Sequence, residues 1–188
     1  MWERGHDILS ICYDNEAYEN TGVQRSGLTP FDANTTTTPP GKESTGNPRP
    51  KKPMPEIARA HGIPYVATST IAFPQDIQRK VKKALSIKGP KYLQIFVPCP
   101  LGWRHESNLT HEIARLAVET GLYPIIEYEN GKLTNVKKIK GDVKVEEYLK
   151  LQGRFKHLLN NPEQIKLVQQ IADMNMQFYG LKMESVQQ

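Results

Sequence analysis

The sequence predicts an α/β protein, a parallel sheet with flanking helices. Three observations carry this expectation. Short, almost wholly apolar runs at 8–13 and 92–97 read as strands buried on both faces. Two segments, 74–85 and 109–120, place apolar residues at helical spacing. Strand-like and helix-like segments then alternate along the chain, the order of right-handed β-α-β crossovers.

The first strand is Ile8-Leu9-Ser10-Ile11-Cys12-Tyr13. A sheet strand this close to the first residue points to a domain truncated at its N-terminus. Residues 14–53 follow no helical or strand period. They hold prolines at 30, 39, 40, 48, 50 and 53, glycines at 22, 27, 41 and 46, and the run Thr35-Thr36-Thr37-Thr38. A stretch of this kind is either a linker without internal core or a functional loop.

Regular patterning returns after Pro53. Residues 55–61 suit a short helix stopped by Gly62, and 65–68 a short strand. Pro74 fits a first helical position; Ile77, Val81, Ala84 and Leu85 face inward, and Arg79, Lys80, Lys82 and Lys83 outward. In 109–120 the inward residues are Leu109, Ile113, Leu116 and Ala117, with Gly121 as the stop. Residues 123–128 read as a further strand. Asn130-Gly131 is a hairpin turn between 125–129 and 133–139. Residues 145–151 and 161–178 are helical, the second opened by the cap Asn161-Pro162-Glu163-Gln164. The expected division is a sheet domain over 1–130 and a basic hairpin with helical extension over 131–188.

Composition narrows the function. The chain has 188 residues, 38% of them hydrophobic, and a net charge of +5. No apolar run approaches the ~18 residues of a membrane span, and no signal peptide is visible. Two cysteines, Cys12 and Cys99, exclude a disulfide framework. A cytoplasmic, reducing location without membrane contact is expected. Residues 132–157 hold eight basic side chains against three acidic ones, a surplus equal to the whole net charge. Such a run is a solvated face or an attraction for an acidic partner. No nucleic-acid-binding module appears, and aromatics do not interleave the basic run. The histidines at 6, 61, 105, 111 and 157 have no metal-ligand spacing.

The chemistry concentrates where the first strand ends. Ligands of open α/β sheets sit outside the carboxyl ends of strands. Here the strand runs into Asp14-Asn15-Glu16-Ala17-Tyr18-Glu19-Asn20-Thr21-Gly22. Its oxygens suit a hard cation such as Mg²⁺: an Asn side chain and a backbone carbonyl two residues later can supply adjacent ligands, and a diphosphate can fill further positions. Asn-rich turns after strands are common, so the residues alone leave an ordinary turn open.

The run Tyr13-Asp14-Asn15-Glu16-Ala17-Tyr18-x-Asn20-Thr21-Gly22-x-Gln24-Arg25-Ser26, followed by the threonine loop, resembles the β subunit of pyruvate:ferredoxin oxidoreductase (pyruvate synthase). Phe96-Val97-Pro98-Cys99-Pro100-x-Gly102-Trp103 and residues 112–121 extend the resemblance, which runs from about Arg4 onward. It implies a thiamine-diphosphate-binding fold. It implies that Asn15 and the Ala17 carbonyl hold Mg²⁺, that Tyr18, Asn20 and Thr21 adjoin the cofactor, and that Asn20 serves catalysis at its reactive end. It implies that Cys99 is a 4Fe–4S ligand in a complete subunit; read alone, Cys99 fits a small buried hydrophobe equally. Cys12 matches no ligand position and reads as core. Trp103 is left between packing and cluster shielding.

The implied activity is oxidative decarboxylation of pyruvate to acetyl-CoA with reduction of ferredoxin, or the reverse. The implied partners are the α, γ and δ subunits, ferredoxin, pyruvate and coenzyme A. A branched-chain 2-oxoacid is the alternative substrate. The family's Gly-Asp-Gly metal segment and three further cluster cysteines are absent, so the chain is expected to be a C-terminal portion or an alternative start. A noncatalytic fragment that keeps only a partner-binding surface is the rival reading.

Overall fold

The computed structural model describes residues 1–183; the last five residues of the 131–188 region lie outside it. The central sheet has the order β1 (Leu9–Asp14), β5 (Lys91–Phe96), β4 (Tyr65–Thr70), β6 (Ile126–Glu129), β7 (Lys132–Val136). Within the long loop, β2 (Ala17–Tyr18) pairs antiparallel with β3 (Gln24–Arg25). The helices are α1 (Met54–Ala60), α2 (Pro74–Ser86), α3 (Pro100–Trp103), α4 (Thr110–Glu119), α5 (Val145–Leu149) and α6 (Pro162–Tyr179).

The sheet is mostly parallel. β1, β5 and β4 run in one direction, Leu9 opposite Lys91 and Tyr65 opposite Lys91. The expected parallel sheet is thus present, and β6 and β7 extend it as an antiparallel edge. Parallel strands need cover on both faces; β7 is exposed along nearly its whole length and suits an antiparallel edge. The hairpin joining these strands is as expected, with Asn130 at φ 48° and Gly131 at φ 77°, the paired positive angles such a tight turn demands.

β5 is buried on both faces, but β1 is not. Ile11 and Tyr13 are exposed on the face where Leu93 and Ile95 are covered. α2 packs on β4 and β5, so its cover stops short of the outer strand. On the opposite face Tyr92 joins Ala58, Val66, Ile126 and Tyr128 beneath α1. Phe96 lies in the largest apolar cluster, with Ile113, Leu116 and Ala117 of α4, Tyr148 and Leu149 of α5, and Val168, Ala172 and Met176 of α6. The predicted inward stripe of α4 is therefore correct. That of α2 holds at Val81 and Ala84 and fails at Leu85, which is exposed, while Lys80 of the predicted outward face is buried. Lys80 is tolerated because its ammonium donates to the Thr68 carbonyl and Asp76, both at 2.7 Å. The predicted cap of α6 is present, Asn161 Oδ1 accepting from the Gln164 N–H.

α2 is also fastened through Glu127 of β6. This buried carboxylate accepts from Tyr65 Oη at 2.8 Å, from Asn135 Nδ2 at 2.7 Å and from Arg79. Burial opposes its ionisation, but Arg79 and the neutral donors outweigh it and hold its pKa at about 2. A carboxylate depressed in the fold stabilises above its unfolded pKa and loses that stability as pH falls through the folded one. Allowing for the partial exposure of Arg79, the contribution is about 2 kcal/mol. Urea denaturation from pH 7 down to pH 2.5 should show this loss below pH ~4.5. Glu127→Gln should start less stable and show a shallower acid slope; an unchanged slope would contradict the assignment.

Candidate functional site

β1 ends at Asp14, and the chain turns sharply. Glu16 has φ 64°, a left-handed conformation rare for a residue with a side chain and worth about 1–3 kcal/mol of strain. The turn directs Glu16 into the protein, where it is 4% exposed. There Glu16 Oε1 meets Lys51 Nζ at 2.7 Å and Glu16 Oε2 meets Arg154 Nη2 at 2.6 Å. Lys51 also pairs with Asp14 at 2.6 Å, and Gln94 Nε2 donates to the same carboxylate. The backbone is held as well: Glu16 N–H donates to Asp14 Oδ1, and Thr29 Oγ1 donates to the Glu16 carbonyl.

Burial opposes ionisation throughout this cluster. In Glu16, Lys51 and Arg154 overcome it and hold the carboxyl below the usual range. In Asp14, burial prevails, aided by the nearby Glu16 charge, and the carboxyl is pushed up. Burial opposes the Lys51 charge, but Asp14 and Glu16 outweigh it and hold the ammonium above its ordinary value.

With Glu16 anchored inward, Asn15, Ala17 and Tyr18 line one open cleft of about 530 Å³ together with Cys12, Met54 and Tyr92. The Asn15 carbonyl accepts from Trp103 Nε1 at 2.9 Å. An amide oxygen and a backbone carbonyl are hard donors that fit two positions around Mg²⁺, leaving the rest for phosphate and water oxygens. The cleft does not take in every predicted residue. Asn20 and Thr21 are exposed on the turn after β2, outside its lining. Thr21 Oγ1 donates to Gln24 Oε1, and Gln24 Nε2 returns to the Thr21 carbonyl.

Cys99 lies at the N-terminal edge of α3, half-buried with a free thiol. Cys12 is also a free thiol, packed at the margin of the cluster around Tyr92. Four thiolates make a 4Fe–4S site, and among the described residues no three His, Cys, Asp or Glu side chains gather as a metal centre. These residues alone do not fit a cluster.

The segment after Cys99 has a visible purpose. Trp103 is buried, and its indole N–H is shared between the Asn15 carbonyl and Glu19 Oε1 at 3.0 Å. The Arg154 guanidinium lies 3.5 Å over the Trp103 ring. Trp103 is thus a clamp on the loop rather than packing alone. Gly102 makes this possible, since a Cβ there would stand 1.6 Å from Glu19 Oε2. Burial raises the Glu19 carboxyl, while the Trp103 donor and Arg154 pull against it.

The long loop carries a core after all, and a polar one. Asn47 is fully buried; Nδ2 donates to the carbonyls of Thr29, Pro30 and Arg49, and Oδ1 accepts from Arg25 Nε at 2.7 Å. The threonine run ties down the β2–β3 hairpin: Thr37 Oγ1 accepts from the Arg25 N–H, and Thr36 Oγ1 donates to the Gly22 carbonyl. His157 Nε2 meets two carbonyls, of Asp32 and Thr45, and so carries the proton and donates. Sequence reasoning missed Glu16, Lys51, Arg154 and Glu19. The available signals were the glycine two residues after Pro100, and an arginine set between Gln152-Gly153 and Phe155 within a lysine-rich run.

Residues 1–95 match the family described as thiamine pyrophosphate enzyme, C-terminal TPP binding domain. Pyruvate synthase subunit PorB of Methanosarcina barkeri is 58% identical over 96% of this chain and 62% of its own length. Ketoisovalerate oxidoreductase subunit VorB of Pyrococcus abyssi is 53% identical over 89% of this chain and 54% of its own length. The solved 2-oxoglutarate:ferredoxin oxidoreductase from Magnetococcus marinus with 2-oxoglutarate, coenzyme A and succinyl-CoA bound shares 23% identity at a TM-score of 0.49, covering 61% of this chain and 45% of that one. The chain spans about three fifths of the length of the curated relatives it matches.

Gly102→Ala should force Glu19 and Trp103 apart and destabilise the fold by about 1–3 kcal/mol. Thermal denaturation would register this as a lower midpoint; an unchanged midpoint would mean that Glu19 does not occupy the space over Gly102. The match over residues 1–95 makes this chain a member of the thiamine pyrophosphate enzyme family, within its C-terminal TPP-binding domain.

Proposed function

We propose that this chain is the thiamine-diphosphate-binding part of a 2-oxoacid:ferredoxin oxidoreductase subunit that acts on pyruvate. The observation supporting this reading most directly is that Asn15 and Ala17, the loop residues the resemblance assigns to the metal, line one cleft beside β1. The 58% identity to a pyruvate synthase subunit supports the choice of pyruvate.

In this reading Asn15 holds Mg²⁺ through its side-chain oxygen and Ala17 through its carbonyl. Tyr18 borders the cofactor within the cleft, while Asn20 and Thr21, on the exposed turn outside its lining, meet the cofactor's reactive end and the substrate beyond the cleft. Thiamine diphosphate, when bound, supplies the electron sink for decarboxylation of a 2-oxoacid. The apolar wall of Met54 and Tyr92 keeps water from one side of the cleft. Residues 1–130 form the cofactor domain, and 131–188 an extension that brings Arg154 to the loop. Cys99 is one ligand of a 4Fe–4S cluster in a subunit that provides the others. Coenzyme A and ferredoxin are the co-substrates, the α, γ and δ subunits complete the assembly, and the exposed lysines of 132–156 attract the acidic ferredoxin. The location is the cytoplasm; no helix among the described residues is long and apolar enough to cross a membrane.

A second substrate reading rests on the 53% identity to a ketoisovalerate oxidoreductase subunit. Turnover of the assembled enzyme with pyruvate and with ketoisovalerate distinguishes the two; faster ferredoxin reduction with ketoisovalerate would overturn the choice of pyruvate.

Asn15→Leu removes an oxygen donor at nearly constant volume. In the assembled enzyme it should weaken Mg²⁺-dependent cofactor retention by about ten-fold or more. Equilibrium dialysis with thiamine diphosphate measures this, and wild-type retention would show that Asn15 is not a ligand. Cys99→Ala should lower the iron content and ferredoxin reduction of the same assembly. Full iron with normal reduction would leave Cys99 a packing residue.

A further inference from the structure

We infer that Arg154 is a positioning residue for the metal loop, holding Asn15 and Ala17 in place from the far end of the chain. The inference rests on the cofactor reading above and deepens it. Arg154 is 3% exposed and is followed by Phe155, whose ring lies 4.8 Å from the guanidinium. It grips the loop at two points. Its Nη2 donates to Glu16 Oε2 at 2.6 Å, on the residue between the two proposed ligands. Its guanidinium also lies 3.5 Å over Trp103, whose N–H holds the Asn15 carbonyl. One planar cation thus fixes the loop through an ion pair and through an indole clamp.

The grip is itself held. Arg154 Nε donates to Gln152 Oε1 at 2.9 Å, and Nη2 reaches Tyr148 Oη at 3.1 Å. Gln152 Nε2 in turn donates to the Tyr148 carbonyl, and Asn34 N–H to the Arg154 carbonyl. Tyr148 and Phe155 belong to the main apolar cluster. The loop is therefore referenced to the hydrophobic core as well as to its own neighbours. Lys51 alone could not do this: it already serves Asp14 and lies in the same loop as Glu16. Lysine could not replace Arg154 fully, because an ammonium cannot combine the planar stack on Trp103 with the separated Nε and Nη2 donors.

A residue that only fills the core would change stability without changing how the metal is held. A residue that orients ligands changes metal affinity, by about 10- to 100-fold in comparable outer positions. The test is the Mg²⁺ concentration that half-saturates thiamine diphosphate binding in the assembled enzyme, read by equilibrium dialysis for wild type, Arg154→Met and Arg154→Lys. Arg154→Met should raise it by about 10- to 100-fold and regain binding at high Mg²⁺. Arg154→Lys, which keeps the buried charge and so protects the fold, should raise it by a smaller factor. Folded Arg154→Met with wild-type Mg²⁺ dependence would overturn the inference; so would a loss that high Mg²⁺ does not restore. If Arg154→Met does not fold, Arg154→Lys decides: an unchanged half-saturation point counts against the role. A wild-type assembly with no Mg²⁺-dependent binding would overturn the cofactor reading itself.

Discussion

The structure around the cleft depends on one buried carboxylate. Glu16 sits in a strained left-handed turn, between a lysine near the end of its own loop and an arginine far along the chain. Breaking such a buried pair costs about 3–5 kcal/mol, because it leaves an unmatched charge in a medium of low dielectric. That exceeds the strain of the turn by enough to hold it. The consequence is local and geometric. With the Glu16 carboxylate turned inward, the stretch from Asp14 to Tyr18 runs along one cleft, and Asn15 and Ala17 lie two residues apart in its lining.

The rest of the fold serves that turn. The buried strand β5 supplies Gln94 to Asp14 and Phe96 beneath Lys51, and its continuation delivers Trp103 to the Asn15 carbonyl. Helices α5 and α6 enclose the region from which Arg154 reaches back. Asn47 and His157 tie the long loop to itself and to the C-terminal part. A loop of this length stays ordered because its polar groups are paired inside it and the cost of closing it rises slowly with length.

Much of the fold was legible in the sequence. Period and length identified β1, β5, α2, α4 and α6, and the hairpin at Asn130-Gly131 was written in its turn residues. The errors share a cause. β1 reads as buried, but its exposure depends on how far α2 extends across the sheet. Lys80 reads as a surface residue, but Asp76 and the Thr68 carbonyl receive it inside. Arg154 sits in a run of exposed lysines, and its partner Glu16 is 138 residues away. Charge and period describe a residue's own tendency; they do not reveal a partner brought near by folding. The resemblance located Asn15 and Ala17, and the residues that hold them became visible only in three dimensions.

The central claim is that Asn15 and Ala17 form a metal site in this cleft, and a heavy-atom map tests it most directly. Crystals of the assembled enzyme grown with thiamine diphosphate and Mn²⁺ in place of Mg²⁺ would reveal the ion by its anomalous scattering. The account predicts one peak about 2.0–2.3 Å from the Asn15 side-chain oxygen and the Ala17 carbonyl, with diphosphate oxygens completing the shell. A cofactor-bound crystal whose Mn²⁺ peak lies beyond coordination distance of both residues would contradict it.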